Sequence, residues 1–181
     1  VCRETYDPYD LLEAKPDNEV TQDSFTEADL QLEEKAFSLG VEAAQNVDQA
    51  NQLLPALLNS RSSRVKAFCR GLATSLTEIT WLVEGCCSTW READPSTRTV
   101  SMLTGVLQQY ALIDRTSYEA LLDRFVVDPD FATIFPCIQL GLDIDEQAVE
   151  RLIACMDTGS ASLQSYRSLG HASVVSRIEN D

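Results

Sequence analysis

Residues 100–111 read Val-Ser-Met-Leu-Thr-Gly-Val-Leu-Gln-Gln-Tyr-Ala and set the expectation for the whole chain. Apolar side chains recur in this stretch at helical spacing, so that they share one face of an α-helix. A half-buried strand would instead alternate apolar and polar residues. The stretch therefore predicts an amphipathic helix whose buried face carries Val100, Leu103, Val106, Leu107, Tyr110 and Ala111.

The same spacing continues on both sides of this stretch, and no segment has the period of a strand. It predicts about eight helices with short connections. Short connections make sequential helices antiparallel neighbours. The predicted fold is all-α, with antiparallel helical hairpins that form either a short α-solenoid or a bundle. Six further predicted faces lie in residues 30–44, 47–58, 65–72, 76–86, 118–125 and 131–138. One more predicted face, nearest the C-terminus, comprises Val149, Leu152, Ile153 and Met156.

Polar and special residues predict where these helices begin and end. Gly40 is a candidate break in the first helix, and Pro55 should kink its helix or begin another. Gly141 and Gly159 should each end a helix. The predicted N-caps are Thr26, Thr74 or Ser75, Ser96 or Thr97, Asp114 to Ser117, Asp128 before Pro129, and Asp143 to Asp145.

Charge divides the chain into three predicted regions. The formal net charge is −15, and the first 34 residues carry −9 of it. Residues 1–24 are predicted to be an extended acidic arm, because turn signals interrupt them. Residues 25–170 are the predicted helical-hairpin domain, and 171–181 a polar tail. Such an arm can order on a partner through apolar anchors, and the candidate partner-binding residues here are Tyr6, Tyr9, Leu11 and Leu12.

The acidity also bears on the class of partner. Nucleic-acid binding depends on Lys and Arg, so this charge disfavours nucleic acid and anionic membranes. It favours a protein partner with a basic surface, although acidity that only aids solubility is the alternative. The longest uncharged stretch, Thr99–Ile113, is too short and polar to cross a bilayer, so we expect no membrane insertion. The chain begins at Val1 and not Met, so we expect a removed or omitted N-terminal piece.

Catalytic, cofactor-binding and metal-binding residues are not predicted. The only histidine is His171, in the polar tail, and no phosphate-binding glycine loop occurs. Asp143-Ile-Asp145-Glu146 lacks the spacing of a calcium loop, and helix capping accounts for it. The chain is thus predicted not to be an enzyme by itself.

The six cysteines and two tryptophans have simpler interpretations. No two cysteines form a C-x-x-C pair, and four lie among apolar residues in helical segments, so we expect reduced, buried thiols. Their even number leaves disulfides open as an alternative. Of the two tryptophans we expect one in the core. Trp90 is predicted to be the exposed one, because Arg91 and Glu92 follow it, and is a further candidate partner anchor.

Three segments resemble one another and suggest a repeat: residues 79–86, 118–125 and 149–156. The stretch before the third, Phe131–Asp145, resembles the pentatricopeptide repeat family. Its matching residues are Ala132, Phe135, Gly141, Leu142 and Asp145, followed by Leu152-Ile153.

This resemblance implies stacked hairpins and, for most of the family, single-stranded RNA binding in organelles. The base-reading positions would be Trp81, Ala120 and Arg151. The family prefers small polar residues there, so the resemblance here implies a protein-binding use of the scaffold. Repeat-built accessory subunits of euglenozoan mitochondrial F1-ATPase resemble the chain in size, repeat content and acidity. We therefore expect a non-enzymatic accessory subunit of a multi-subunit assembly on the matrix side of mitochondria; the alternative is an organellar RNA-binding repeat protein.

Overall fold

A computed structural model describes residues 22–76 and 78–167, with side chains described from residue 27 onward. Within these ranges the chain forms α-helices and no strand, which confirms the all-α prediction. Ten helices follow one another: α1 (Gln22–Ala43), α2 (Val47–Leu58), α3 (Arg64–Thr74), α4 (Thr80–Glu92), α5 (Ser101–Ile113), α6 (Arg115–Val127), α7 (Pro129–Ala132), α8 (Phe135–Leu140), α9 (Glu146–Asp157) and α10 (Leu163–Tyr166).

Alternate helices pack on one another in two rows. In one row α1 packs on α3, α3 on α5 and α5 on α8, while in the other α2 packs on α4 and α6 on α9. Asp29 forms an ion pair with Arg64 at 3.2 Å, and Phe37 lies against Gly71, so α1 and α3 run in the same direction. Every second helix stacks in the first half of the chain, as in a hairpin array, while sequential helices such as α4 and α5 also pack on each other, as in a bundle.

The crossing of α1 and α3 depends on two glycines. A Cβ on Gly40 would lie 2.0 Å from the Phe68 carbonyl oxygen, and a Cβ on Gly71 would lie 2.0 Å from the Phe37 carbonyl oxygen. Only glycine lets the two backbones approach so closely. Gly40 therefore lies inside a continuous α1, and its prediction as a break is wrong.

Pro55 does not begin a new helix, which was one of the two predicted alternatives. The helix runs from Val47 to Leu58 through the proline. Pro55 is exposed, so the hydrogen bond that its missing N–H cannot make falls on the solvent side. Leu54 and Leu58 are buried and hold the helix on either side of it.

Three predicted N-caps are confirmed, and all three are aspartates. Asp114 accepts a hydrogen bond from the Ser117 N–H at 3.0 Å and begins α6. Asp128 begins α7, and Asp145 begins α9 by accepting from the Ala148 N–H at 2.8 Å. Each cap satisfies an N–H that a helix start would leave unpaired. The helix ends at Gly141 and Gly159 are also confirmed, the latter glycine with φ +64°.

The remaining predicted caps are wrong for local reasons. α1 begins at Gln22, before Thr26, and α4 begins at Thr80, well after Ser75. Ser96 is held by Asp94, whose carboxylate accepts from its backbone N–H and its hydroxyl at 2.8 Å each. This contact closes the turn, and α5 begins only at Ser101.

The predicted region boundaries fall partly outside the described residues. Residues 22–24 belong to α1 and not to the arm, so the helical region begins earlier than predicted. The rest of the arm and the tail 171–181 lie outside the described residues, as do the anchors Tyr6, Tyr9, Leu11 and Leu12 and the single histidine, His171.

Candidate functional site

A cleft of about 350 Å³ lies between α6 and α9. The two helices run in the same direction, because Arg115 pairs with Asp145 at their starts and Asp123 pairs with Arg151 near their middles. Two carboxylates, an amide, one arginine and two small or apolar side chains line this α6–α9 cleft: Asp123, Glu150, Gln147, Arg151, Val126 and Ala154.

Arg151, the cation of this cleft, is neutralised by neighbouring carboxylates. Its guanidinium lies 2.7 Å from an Asp123 oxygen and 2.5 Å from a Glu119 oxygen, and its side chain is 8% exposed. Burial lowers the pKa of Arg151, but hydrogen bonds to Asp123 and Glu119 outweigh it and the pKa is raised. Glu119 also pairs with Arg115. The network stabilises the packing of α6 against α9 and leaves no free cation in the α6–α9 cleft.

The three positions that would read bases do not form a polar surface. Trp81 is half-buried, and Ala120 is exposed but has no hydrogen-bonding side chain. Arg151 is enclosed between two carboxylates, so it is not available to a phosphate. Ala120 and Arg151 offer no free hydrogen-bonding group to an unstacked base, and the half-buried Trp81 carries only an indole N–H.

The surface of α9 away from the core carries both apolar and acidic side chains. Val149, Ile153 and Met156 recur at the spacing of one helical face. Val149 is half-buried, whereas Ile153 is 55% and Met156 49% exposed. Beside this apolar strip lie the exposed carboxylates of Glu146, Glu150 and Asp157. We call this surface the outer face of α9.

The exposure of Ile153 and Met156 corrects the predicted inward face of α9. Leu152 is buried as predicted, but its buried companions are Ala148 and Cys155. The small apolar residues Ala148 and Cys155 were the sequence signal that the buried face of α9 lies on their side of Leu152. They permit close packing against α8, and the larger Ile153 and Met156 turn outward.

A second, smaller cleft of about 170 Å³ lies between α4 and α6. Arg91 and Asp128 close one side of it with an ion pair at 2.8 Å. Burial chiefly raises the pKa of the Cys87 thiol, which lines the cleft, to about 11. A thiol with this pKa stays protonated at neutral pH and is a poor nucleophile.

Trp90 is buried and not exposed as predicted. Its side chain is 3% exposed, and its indole N–H donates to the Asp130 carbonyl oxygen at 3.0 Å. The ring stacks on Phe131, with 6.1 Å between centroids, and the Arg98 guanidinium lies over it. A tryptophan held in this way has no free surface for docking, so we no longer assign Trp90 to a partner site.

Among the described cysteines, Cys69, Cys86, Cys87 and Cys155 are buried and Cys137 is half-buried. Burial raises the pKa of Cys69 to about 12 and raises that of Cys86 as well. These thiols serve as small core residues. Across residues 22–76 and 78–167, no three His, Cys, Asp or Glu side chains cluster as metal ligands would. None of the helices in the same ranges combines the length and apolarity that a bilayer span needs.

Comparison with family models, with curated proteins and with solved structures finds no match to this chain. The resemblance to pentatricopeptide repeats therefore stays a prediction from the sequence.

Proposed function

We propose that the chain is a non-enzymatic accessory subunit that docks on a larger protein assembly through a basic surface of its partner. The observation that supports this most is the charge of the α6–α9 cleft. Asp123 and Glu150 line it, and its only cation, Arg151, is already neutralised. A surface of this sign attracts Lys and Arg side chains of another protein.

The same cleft argues against RNA as the ligand. An RNA-binding groove needs cations that displace the counterions of the phosphates. Here the described part of α9 contributes Glu146, Glu150 and Asp157 to the surface and no exposed base. A phosphate backbone would be repelled where the family's repeats would read bases.

The assembly that we propose is mitochondrial, on the matrix side, and the F1 part of ATP synthase is the specific candidate. This part of the proposal is supported by the sequence resemblance of residues 131–145, by the size of the chain and by its acidity. Scaffolds of stacked helical hairpins present extended surfaces suited to protein docking.

Native purification tests the proposal. The full chain, tagged and expressed in its own organism, should copurify with a defined set of subunits at fixed stoichiometry, and the F1 candidate requires the F1 subunits among them. A parallel titration with single-stranded RNA at low salt should show no binding. Tight, salt-sensitive RNA binding, or a chain that purifies as a monomer, would contradict the proposal.

A further inference from the structure

The outer face of α9 combines exposed apolar side chains with exposed carboxylates, and it lies beside the α6–α9 cleft. Ile153 and Met156 expose about half of their apolar side chains. Val149 continues the strip inward, where it packs against the small buried cluster of Ile144 and Ala148. The strip runs from Val149 to Met156, which is eight residues of helix, or about 10 Å. Exposed apolar surface of this kind beside a polar rim is typical of protein interaction sites.

The exposed charges that α9 itself carries all have one sign. Glu146, Glu150 and Asp157 are exposed, and none of them forms an ion pair with another described residue. The only base on α9 is Arg151, which faces α6 and is buried. The strip is therefore bordered by carboxylates that no cation within residues 27–76 and 78–167 pairs with.

We infer that the outer face of α9 is the docking site for a basic amphipathic helix of the partner protein, an inference that rests on the proposed function. Apolar side chains of the docked helix lie on Ile153 and Met156, as in other helix-in-groove complexes. Lysines or arginines beside them pair with Glu150 and Asp157. The adjacent α6–α9 cleft, about 350 Å³ in volume, accommodates one long basic side chain between Asp123 and Glu150.

Charge excludes the other occupants of an apolar helix face. A second copy of this chain would bring the same carboxylates against themselves, and like charges in an interface cost several kcal/mol. An anionic membrane surface and an RNA are repelled for the same reason. A basic protein segment is the occupant whose charge complements this face.

The test uses the full chain and a defined probe. The probe is a fluorescent, helical peptide of about 18 residues with leucines on one face and lysines on the other, and its control replaces each lysine by glutamate. One variant combines Glu150→Lys with Asp157→Lys, and a second combines Ile153→Ser with Met156→Ser. The matched control on α1 combines Leu39→Ser, at a side chain 49% exposed, with Glu42→Lys at another exposed carboxylate.

Anisotropy titrations should show that the wild-type chain binds the lysine peptide and not the glutamate peptide. We expect both α9 variants to bind it about tenfold more weakly, and the α1 control to bind it as the wild type does. Equal loss in the α1 control overturns the inference, because binding would then reflect net charge and not the outer face of α9. No loss in the α9 variants also overturns it, because the peptide would then bind elsewhere on the chain. Circular dichroism melts confirm that each variant is folded, and Glu150→Gln gives a milder second test with a smaller loss in the same direction.

The native complex separates this inference from the proposed function. A photo-crosslinking residue at position 153 should attach to a Lys- and Arg-rich segment of the copurified partner, and one at position 39 should not. If the wild-type chain copurifies with its assembly but crosslinks only from position 39, the α9 inference fails and the proposed function stands. If no assembly copurifies, both fail.

Discussion

Gly71→Ala tests the closest contact between helices in the fold. A Cβ at this position would lie 2.0 Å from the Phe37 carbonyl oxygen of α1, whereas ordinary contact needs about 3.5 Å. The obstacle is backbone, so no side chain can rotate away. α1 and α3 would have to separate by about 1.5 Å at their crossing.

The magnitude follows from two opposing effects. Separation of packed helices by this distance forfeits much of their dispersion energy, and forced overpacking costs about 1–3 kcal/mol. We take the upper end of this range, about 3 kcal/mol, because the obstructing atoms, the carbonyl oxygen and carbon of Phe37, belong to the backbone. Alanine regains about 1 kcal/mol as the better helix former. The net loss in the free energy of unfolding is about 2 kcal/mol, which lowers Tm by about 4–8 °C in a chain of this size.

Gly85→Ala is the matched control for this substitution. Gly85 also lies inside a helix, but its Cβ would meet only side-chain atoms, of Leu54 at 3.1 Å and of Asn51 at 3.4 Å. These side chains can adjust, so we expect a stability within about 1 kcal/mol of the wild type. Urea and thermal unfolding followed by circular dichroism measure both variants. The reasoning is refuted if Gly71→Ala is as stable as Gly85→Ala.

Four further predictions follow from the ion pairs, caps and thiols. Arg151→Met should lower the free energy of unfolding by about 2 kcal/mol in urea titrations, because it leaves the largely buried carboxylate of Glu119 with only the exposed Arg115 as its partner. Asp145→Ala should cost about 1 kcal/mol in the same assay through loss of the α9 cap. Cys86, which is fully buried with a raised pKa, should react with a thiol reagent at neutral pH only after denaturation, as mass spectrometry can measure. Burial raises the pKa of Asp128, but the hydrogen bonds from Arg91 and from the Asp130 N–H, with the charges of Arg91 and Arg124, together outweigh it and the folded pKa is lowered. The stabilisation is therefore present above the unfolded pKa of about 4 and lost as pH falls through the folded value, so acid should destabilise the wild type more than Asp128→Asn.

Contrary results have definite meanings. If Arg151→Met is as stable as the wild type, the carboxylate of Glu119 reaches water. If Asp145→Ala is as stable as the wild type, α9 does not begin at this cap. Rapid labelling of Cys86 in the native chain would contradict its burial. Parallel acid unfolding of the wild type and Asp128→Asn would show that the Arg91 hydrogen bond does not hold in solution.

Features that depend on neighbouring residues in the chain were predictable from the sequence. The caps at Asp114 and Asp145 were found because an aspartate side chain reaches an N–H only three residues onward. The helical faces of α3 and α5 were found for the same reason, since periodicity is local. The all-α fold follows from these local signals alone.

Features that depend on distant residues were not predictable. Gly40 resembles a helix break until Phe68 of α3 is placed against it. Trp90 was assigned to the surface from its neighbour Arg91, but adjacent residues on a helix point in different directions, and the indole partner, Asp130, is 40 residues away. The neutralisation of Arg151 likewise depends on the carboxylates of Glu119 and Asp123, which lie on another helix.

The candidate site likewise has features that the sequence predicts locally and features that depend on distant residues. The sequence indicated an acidic chain with a basic partner, but it placed Ile153 and Met156 in the core. Two apolar arcs are possible on α9, and only the packing of α8 and α6 against it selects the one with Ala148 and Cys155. The exposed strip is what remains.

Native mass spectrometry of the complex isolated from the chain's own organism tests the central claim most directly. We predict a complex in which the chain is bound at fixed stoichiometry to protein subunits, and from which rising salt releases it because its partner surface is basic. A chain that is recovered alone from a gentle, low-salt preparation, or bound to RNA without protein, would contradict the account.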